Sequence, residues 1–287
     1  MLPILPEETP SSPAIQFVPQ PIRLPLQETA RQHAPTGGLT TLLAIMFGLF
    51  AFCGHRAYAQ GGPPMITDDP GTPGNGKFEI NLALAFERRP HEISLDVPAI
   101  DINYGWGDRI QLTLQTAPVL LKRSGHGPIG GLRGTETALK WRFLDEETAG
   151  VSMSVFPRVI FNVVQSSVSR GLAEDGTRVQ SPVQIARKFG ALALDFEFGP
   201  VLRSVGRSEW LYGIVGGVEV TKTTELMAEL HGTARTSFAR DVLTVNAGLR
   251  QKLNEHCILI TSLGHEVRTP DNEPLAFIGY CGVQLLY

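Results

Sequence analysis

Beyond Gln60 the chain alternates apolar and polar residues with a period of two. Between Lys77 and Arg88, Phe, Ile and Leu at even positions alternate with Glu, Asn and Ala at odd positions. A period of two predicts β-strands, and no window favours an amphipathic helix. The same alternation recurs at 109–116, 135–143, 191–199, 210–220, 224–231 and 241–250. Less regular strands are predicted at 96–104, 151–161, 180–187, 257–267 and 275–287. The total is about twelve.

The last of these strands ends the sequence on an aromatic residue. Every second residue from Phe277 to Tyr287 lies on one face, and Tyr287 is the final residue. The last strand of a bacterial outer-membrane barrel pairs with its first strand and reaches an aromatic girdle. We therefore interpret Val283, Leu285 and Tyr287 as a sorting signal that the outer-membrane assembly machinery reads.

Short and long connections alternate between the predicted strands. Tight turns are predicted at 105–108, 145–148, 188–190, 222–223 and 254–256, and long loops at Leu121–Leu132 and Gln165–Val179. Membrane barrels have short periplasmic turns and longer outer loops. An even strand count places both termini in the periplasm. The sequence thus predicts an all-β fold, a transmembrane antiparallel up-and-down barrel of about 12 strands spanning residues 77–287.

Composition agrees with this fold and excludes one class of partner. Charged residues make up 18% of the 287 residues, less than the roughly 25% of soluble proteins. The formal net charge of −3 gives no basic excess, so no nucleic-acid partner is expected. Alternation alone also fits a soluble β-sandwich. Aromatic residues near strand ends favour the barrel, with its apolar face toward lipid.

The N-terminal region resembles a secretion signal behind an unusual leader. About fifteen apolar residues begin at Leu39 and are followed by Ala57-Tyr58-Ala59, an A-x-A site. This pattern predicts a signal peptide at 39–59, with an uncleaved anchor as the alternative. Residues 1–38 are a disordered Pro-rich leader or reflect a mis-set start codon. Residues 60–76 form a Pro/Gly-rich segment that we expect in the periplasm.

The polar face of the predicted strands should line the lumen. There, charged groups would set the selectivity of a pore, or pair with one another and fill a narrow barrel. The residues expected to line the lumen are Glu79, Asn81, Asp101, Arg109, Gln111, Glu136, Lys140, Arg142, Arg158, Asp195, Glu197, Glu219, Glu229, Asn246 and Arg250, together with Glu87 and Glu225.

Two pairs of residues each allow more than one interpretation. Asp68 and Asp69 fit a cation site or a plug contact, but a turn before Pro-Gly is favoured. Cys257 and Cys281 either form a disulfide on adjacent strands or face the membrane as apolar residues, and the second is favoured.

The histidines give little support to a catalytic site or a metal site. His231, His256 and His265 have no zinc-type spacing, and no G-x-S-x-G motif accompanies them. We therefore expect no catalytic residues, no metal site and no cofactor.

Four motifs resemble one known family. They are Gly62–Pro70 followed by Lys77-Phe78-Glu79, Asp101–Leu112, Gly134–Leu144 and Val245–Arg250. They are similar to the MetA-pathway of phenol degradation family, and the resemblance covers roughly Gly62 to Tyr287. It implies an outer-membrane transporter of aromatic or other hydrophobic compounds, and it carries over no binding residues.

These observations predict a porin-like channel in the outer membrane of a Gram-negative-type bacterium. The expected partners are outer-membrane lipids, the assembly machinery and a small-molecule substrate that crosses by passive diffusion. One alternative is a membrane-embedded lipid hydrolase or lipid-modifying enzyme. The other is a structural barrel with a filled lumen.

Deleting Tyr287, or replacing it with Asp, should block assembly because the terminal strand would lose its aromatic signal. The measurement is the amount of heat-modifiable protein in the outer-membrane fraction. Wild-type amounts of either variant would show that the terminal strand is not the sorting signal.

Overall fold

The computed structural model describes residues 61–238, 241–270 and 275–287. The predicted leader (1–38) and signal peptide (39–59) lie outside the described residues. Within the described ranges, no helix is both long and apolar enough to cross a bilayer.

The described residues form sixteen strand segments and two short helices. These are β1 (Phe78–Arg89), β2 (Glu92–Trp106), β3 (Ile110–Thr116), β4 (Pro118–Arg123), β5 (Ile129–Leu132), β6 (Thr135–Leu144), α1 (Glu146–Ala149), β7 (Ser152–Val155), β8 (Arg158–Phe161), α2 (Gln165–Ser169), β9 (Arg178–Gln180), β10 (Val183–Phe189), β11 (Leu192–Arg203), β12 (Glu209–Glu219), β13 (Thr224–Arg235), β14 (Asp241–Lys252), β15 (Cys257–Arg268) and β16 (Phe277–Leu286).

The sheet closes on itself because β1 pairs with β16. Their antiparallel register runs from Glu79 opposite Leu286 to Arg88 opposite Phe277. Four long strands are each interrupted once, so that β3–β4, β5–β6, β7–β8 and β9–β10 count as one strand apiece. The result is a closed antiparallel barrel of 12 strands, which confirms the predicted fold.

The barrel has apolar residues outside and polar residues inside, which is the reverse of a soluble domain. Leu112, Leu114 and Phe196 are exposed on its outer face, whereas Asn81 and Glu197 are buried inside. An apolar outer surface is stable only against lipid, and the closed ladder leaves no edge to satisfy there. The fold is therefore that of an outer-membrane barrel, and the predicted direction of the apolar face is confirmed.

The two rims differ in their connections. One, here called the terminal rim, carries Phe78, Tyr287 and the predicted tight turns. The other, the loop rim, carries the connection 162–177, which contains α2. The predicted loop Leu121–Leu132 is largely wrong, because β4 and β5 extend into it and leave only 124–128 between them. The two Gly pairs in this stretch obscured the strand pattern.

Aromatic side chains surround the terminal rim. Tyr287 is 66% exposed, and Trp106, Trp141 and Phe189 are also exposed at this end of their strands. Aromatic rings prefer the membrane–water boundary, so these four residues form a girdle.

The two cysteines of the described residues are free. Cys257 lies opposite Leu285 and Cys281 lies opposite Thr261, so the register keeps the two thiols apart. The disulfide alternative is therefore wrong.

Leu112→Arg should impair barrel insertion. Leu112 is 40% exposed on the outer face, two residues inside Ile110, which pairs with the girdle residues Trp106 and Trp141; an arginine there carries part of the cost of about 2–4 kcal/mol that it has at the bilayer midplane. Gln111→Arg is the matched control, because Gln111 is 7% exposed and bonds Asn103 inside the lumen. Folding is measured by the gel shift between unheated and boiled samples. Equal defects in both variants would contradict the assigned faces.

Candidate functional site

The N-terminal segment lies inside the barrel. Arg250 donates hydrogen bonds to the carbonyl oxygens of residues 61–63, at 2.8, 3.3 and 2.7 Å. Ser262 donates a further bond to the carbonyl of Pro64, at 2.8 Å. Both side chains belong to the inner face of the wall. We call residues 61–72 the plug segment. We expected residues 60–76 in the periplasm, and the position of residues 61–72 inside the barrel was not predicted.

The middle of the plug segment is held by a carboxylate. Glu229 accepts hydrogen bonds from the backbone N–H groups of Ile66, at 3.1 Å, and Thr67. Met65 packs against Val215 and Met227 on the same side of the lumen. An irregular segment leaves its backbone groups without a ladder, so each buried group needs a partner. The polar wall supplies those partners.

The plug segment also carries a fixed charge. Asp68 forms ion pairs with Lys140, at 2.9 Å, and with Arg158, at 3.3 Å. Burial alone would raise the pKa of Asp68, but the two cations outweigh it and hold the pKa below its usual value. Burial, partly opposed by Lys140, raises the pKa of Asp69 to about 6. Of the interpretations given for this pair, Asp68 fits the plug contact.

Hydrogen bonds to backbone groups strengthen the attachment of Asp68 and Asp69 to the wall. Lys140 also donates to the carbonyl of Asp69, at 2.7 Å, and Glu197 accepts the N–H of Asp68, at 3.1 Å. Arg158 bridges Glu197 and Asp68. The turn reading also holds in part, because Asp69 accepts the N–H of Gly71.

The lumen keeps a cavity of about 400 Å³ between the plug segment and the loop rim. We call this cavity the vestibule. A smaller cavity of about 40 Å³ lies beside the plug segment and is lined by Glu79, Asn103 and Gln284. Asp101, Gln115 and Pro63 line both cavities, so the two cavities are neighbours at these residues, and we call the region between them the passage.

Connection 162–177 folds over one side of the vestibule. Leu172 is 1% exposed and packs against Val119 and Leu121, which face inward at the loop rim. Glu174 forms ion pairs with Arg178, at 3.0 Å, and Arg203, at 2.7 Å. Residues 173–177 consequently line the cavity and narrow its mouth.

The residues expected in the lumen fall into four groups. Contacts to the plug segment are made by Lys140, Arg158, Glu197, Glu229 and Arg250. The cavities are lined by Glu79, Glu87, Asp101, Gln111 and Glu136. Asn81, Asp195, Glu225 and Asn246 are buried in the wall. Arg109 and Arg142 sit at the terminal rim, where both bond Asp145, and Glu219 ends β12 there.

Sequence reasoning missed several inward residues. Ser154, Gln184 and Ser262 are buried and hydrogen-bonded in the lumen, but their strands alternate poorly or carry small residues. The plug segment itself has no alternation. The only signal in it was the charged pair Asp68-Asp69 in an otherwise uncharged stretch.

The three histidines lie apart. His231 Nδ1 is 3.4 Å from Thr67 Oγ1 in the lumen, His256 contacts the carbonyl of Leu286 at the terminal rim, and His265 contacts that of Glu266. These contacts hold backbone or plug groups and give no support to the hydrolase alternative. Among the described residues, no group of three His, Cys, Asp or Glu side chains could hold a metal ion.

Solved barrels of similar shape exist. An outer membrane channel from Pseudomonas putida F1 is 14% identical, with a TM-score of 0.61 over 76% of this chain and 98% of that chain. The NanC porin is 7% identical, with a TM-score of 0.52 over 72% and 99%. At such identities the likeness shows the fold alone. No protein-family model matches the chain, and no curated protein does.

Asp68→Asn should loosen the plug segment, because Lys140 would lose its only carboxylate within ion-pair distance among the described residues. Labelling of a Thr67→Cys thiol in a Cys257→Ser, Cys281→Ser background measures this. Thr67 is fully buried, so we expect slow labelling that Asp68→Asn accelerates about tenfold or more. The control is Asp175→Asn, an exposed carboxylate in connection 162–177. Equal rates would contradict the anchoring role of Asp68.

Proposed function

We propose that this protein is an outer-membrane channel for small molecules whose lumen is narrowed by its own plug segment. The observation that carries the proposal is the pair of neighbouring cavities inside the polar lumen. The vestibule of about 400 Å³ and the smaller cavity on its terminal side share Asp101 and Gln115 in their walls.

The filled-barrel alternative accounts for part of the lumen but not for the vestibule. Ion pairs and hydrogen bonds fill the barrel where the plug segment meets Lys140, Arg158 and Glu229. Toward the loop rim, the polar groups instead border open space of ligand size. A barrel with only a structural role has no need for such space.

The plug segment is suited to displacement. Its contacts are mostly hydrogen bonds and ion pairs to a polar wall, and water can replace such bonds at small net cost. In the apolar cluster of Met65, Val215 and Met227, Met65 is the residue that the plug segment contributes. The closed ladder of the barrel would survive the loss of all these contacts. Movement of the plug segment would then widen the passage without unfolding the wall.

Orientation and substrate complete the proposal. The terminal rim faces the periplasm, where the assembly machinery would read Val283, Leu285 and Tyr287. Small solutes enter at the loop rim and cross by passive diffusion. The resemblance to the MetA-pathway family favours a substrate with an aromatic or other apolar part.

Single-channel recording in planar bilayers tests this function. We expect a small conductance for the wild type and a severalfold larger one for Glu229→Gln. Glutamine keeps one acceptor oxygen but replaces the other with an N–H donor, so one of the bonds from the backbone N–H groups of Ile66 and Thr67 is lost and the plug segment should leave the wall more often.

The matched control is Glu266→Gln. Glu266 also accepts a backbone N–H, that of Leu275 at 2.7 Å, but it does so at the loop rim and away from the plug segment. Its conductance should equal that of the wild type. Correctly folded barrels that conduct in none of the three forms would overturn the channel in favour of the structural barrel.

A further inference from the structure

The charges that line the vestibule are unequally paired. Six carboxylates and three guanidinium groups face it. Every one of these arginines is already bound to a carboxylate. Arg133 pairs with Asp96 at 2.9 Å, and Arg178 and Arg203 both pair with Glu174. The positive charges of the cavity wall are therefore neutralised by neighbouring carboxylates of this protein.

Four lining carboxylates have no ion pair within the described part of the chain: Asp101, Glu87, Glu136, and Asp175, which is exposed in connection 162–177. Asp101 is bonded only by the amides of Asn81, at 3.0 Å, and Asn103, at 3.2 Å. Glu87 has no ion pair or hydrogen bond there, and Oε1 of Glu136 is buried without a hydrogen-bond partner. Arg158, near Glu136, gives its guanidinium to Glu197 and Asp68 instead. An uncompensated carboxylate in a confined space attracts a cation.

The register spreads these carboxylates across the wall. Asp101 lies opposite Gln115, which lies opposite Glu136 on the next strand. Two strand spacings separate Asp101 from Glu136, about 10 Å. The described residues contain no carboxylate cluster tight enough for a metal ion. The carboxylates therefore do not suit a bare metal ion, whereas the cavity of about 400 Å³ has room for an organic cation.

Apolar and aromatic groups complete the lining. Ala99 and Ile160 border the cavity beside the carboxylates, and Tyr280 faces it from β16. Aliphatic side chains suit a hydrocarbon body, and an aromatic face attracts a positive charge. This mixture of acid, ring and aliphatic surface suits an ammonium group attached to an organic body.

We propose that the vestibule binds a small organic ammonium ion, with Glu136 and Asp101 facing the charged group and Tyr280 and Ile160 contacting the body. The inference rests on the proposed channel, because it names the class of substrate that the channel would admit. The passage beside Asp101 then continues the same acidic surface toward the terminal rim.

Isothermal titration of the folded protein in nonionic micelles tests this site with three probes of one size. Benzylammonium chloride carries a positive charge, sodium benzoate a negative one and benzyl alcohol none. Titrations into empty micelles remove partitioning. We expect benzylammonium to bind at least about tenfold more tightly than either of the others, because only it forms a charge-assisted bond to the free carboxylates.

Glu136→Gln should weaken benzylammonium binding about tenfold or more, since the amide keeps the shape but removes the charge. Asp101→Asn is the second variant, should Glu136→Gln not show the gel shift of a folded barrel. The control is Glu92→Gln, a carboxylate that pairs with Arg123 outside the cavity. It should bind as the wild type does. Benzoate binding as tight as benzylammonium binding, or unchanged affinity in folded Glu136→Gln and Asp101→Asn, would overturn the site.

The two proposals fail in different ways. Conductance without preference for benzylammonium would remove the ammonium site and leave the channel. Preference for benzylammonium without conductance in wild type or Glu229→Gln would remove the channel and leave a binding site.

Discussion

The pairing of β1 with β16 is the constraint on which the rest of the structure depends. It joins the two ends of the sheet over ten residue pairs, so every strand in the wall has a neighbour on both sides. In a bilayer, an unpaired strand edge would leave N–H and C=O groups without partners. Closure also separates two environments. Leu112 and its equivalents meet lipid, and Gln111 and its equivalents face an enclosed space.

That enclosed space creates a second problem, which the plug segment solves in part. Lys140, Arg158 and Glu229 are buried charged groups, and each needs partners. Asp68 and the backbone of residues 66–69 provide them. The plug segment in turn has no secondary structure of its own and depends on the wall for its hydrogen bonds. Each part satisfies the polar groups of the other, and the space left over becomes the vestibule.

Much of the fold could be predicted because a period of two is a local property. The strands at 78–89, 192–203 and 224–235 read directly from their alternation, and the tight turns between strands follow from Gly, Asp and Asn. Glycines 130 and 131 interrupted the pattern in β5, so a strand was taken for a loop. The candidate site was foreseen only as a list of inward residues. Alternation tells which face a residue occupies, but not which residue across the lumen it meets.

The sequence by itself determined the class of the protein: alternating strands, few charges and an aromatic terminal strand permit a closed membrane barrel. It also determined that Asp101, Glu136 and Arg158 share the inner face. Only the tertiary structure decided that Arg158 is neutralised by Glu197 and Asp68, while Glu136 and Asp101 have no ion pair among the described residues. The reason is physical. Ion pairing depends on distances across a barrel between residues far apart in the chain, for example Asp68 and Arg158, which are 90 positions apart. The path of the plug segment, which has no periodicity, is set by the same long-range contacts.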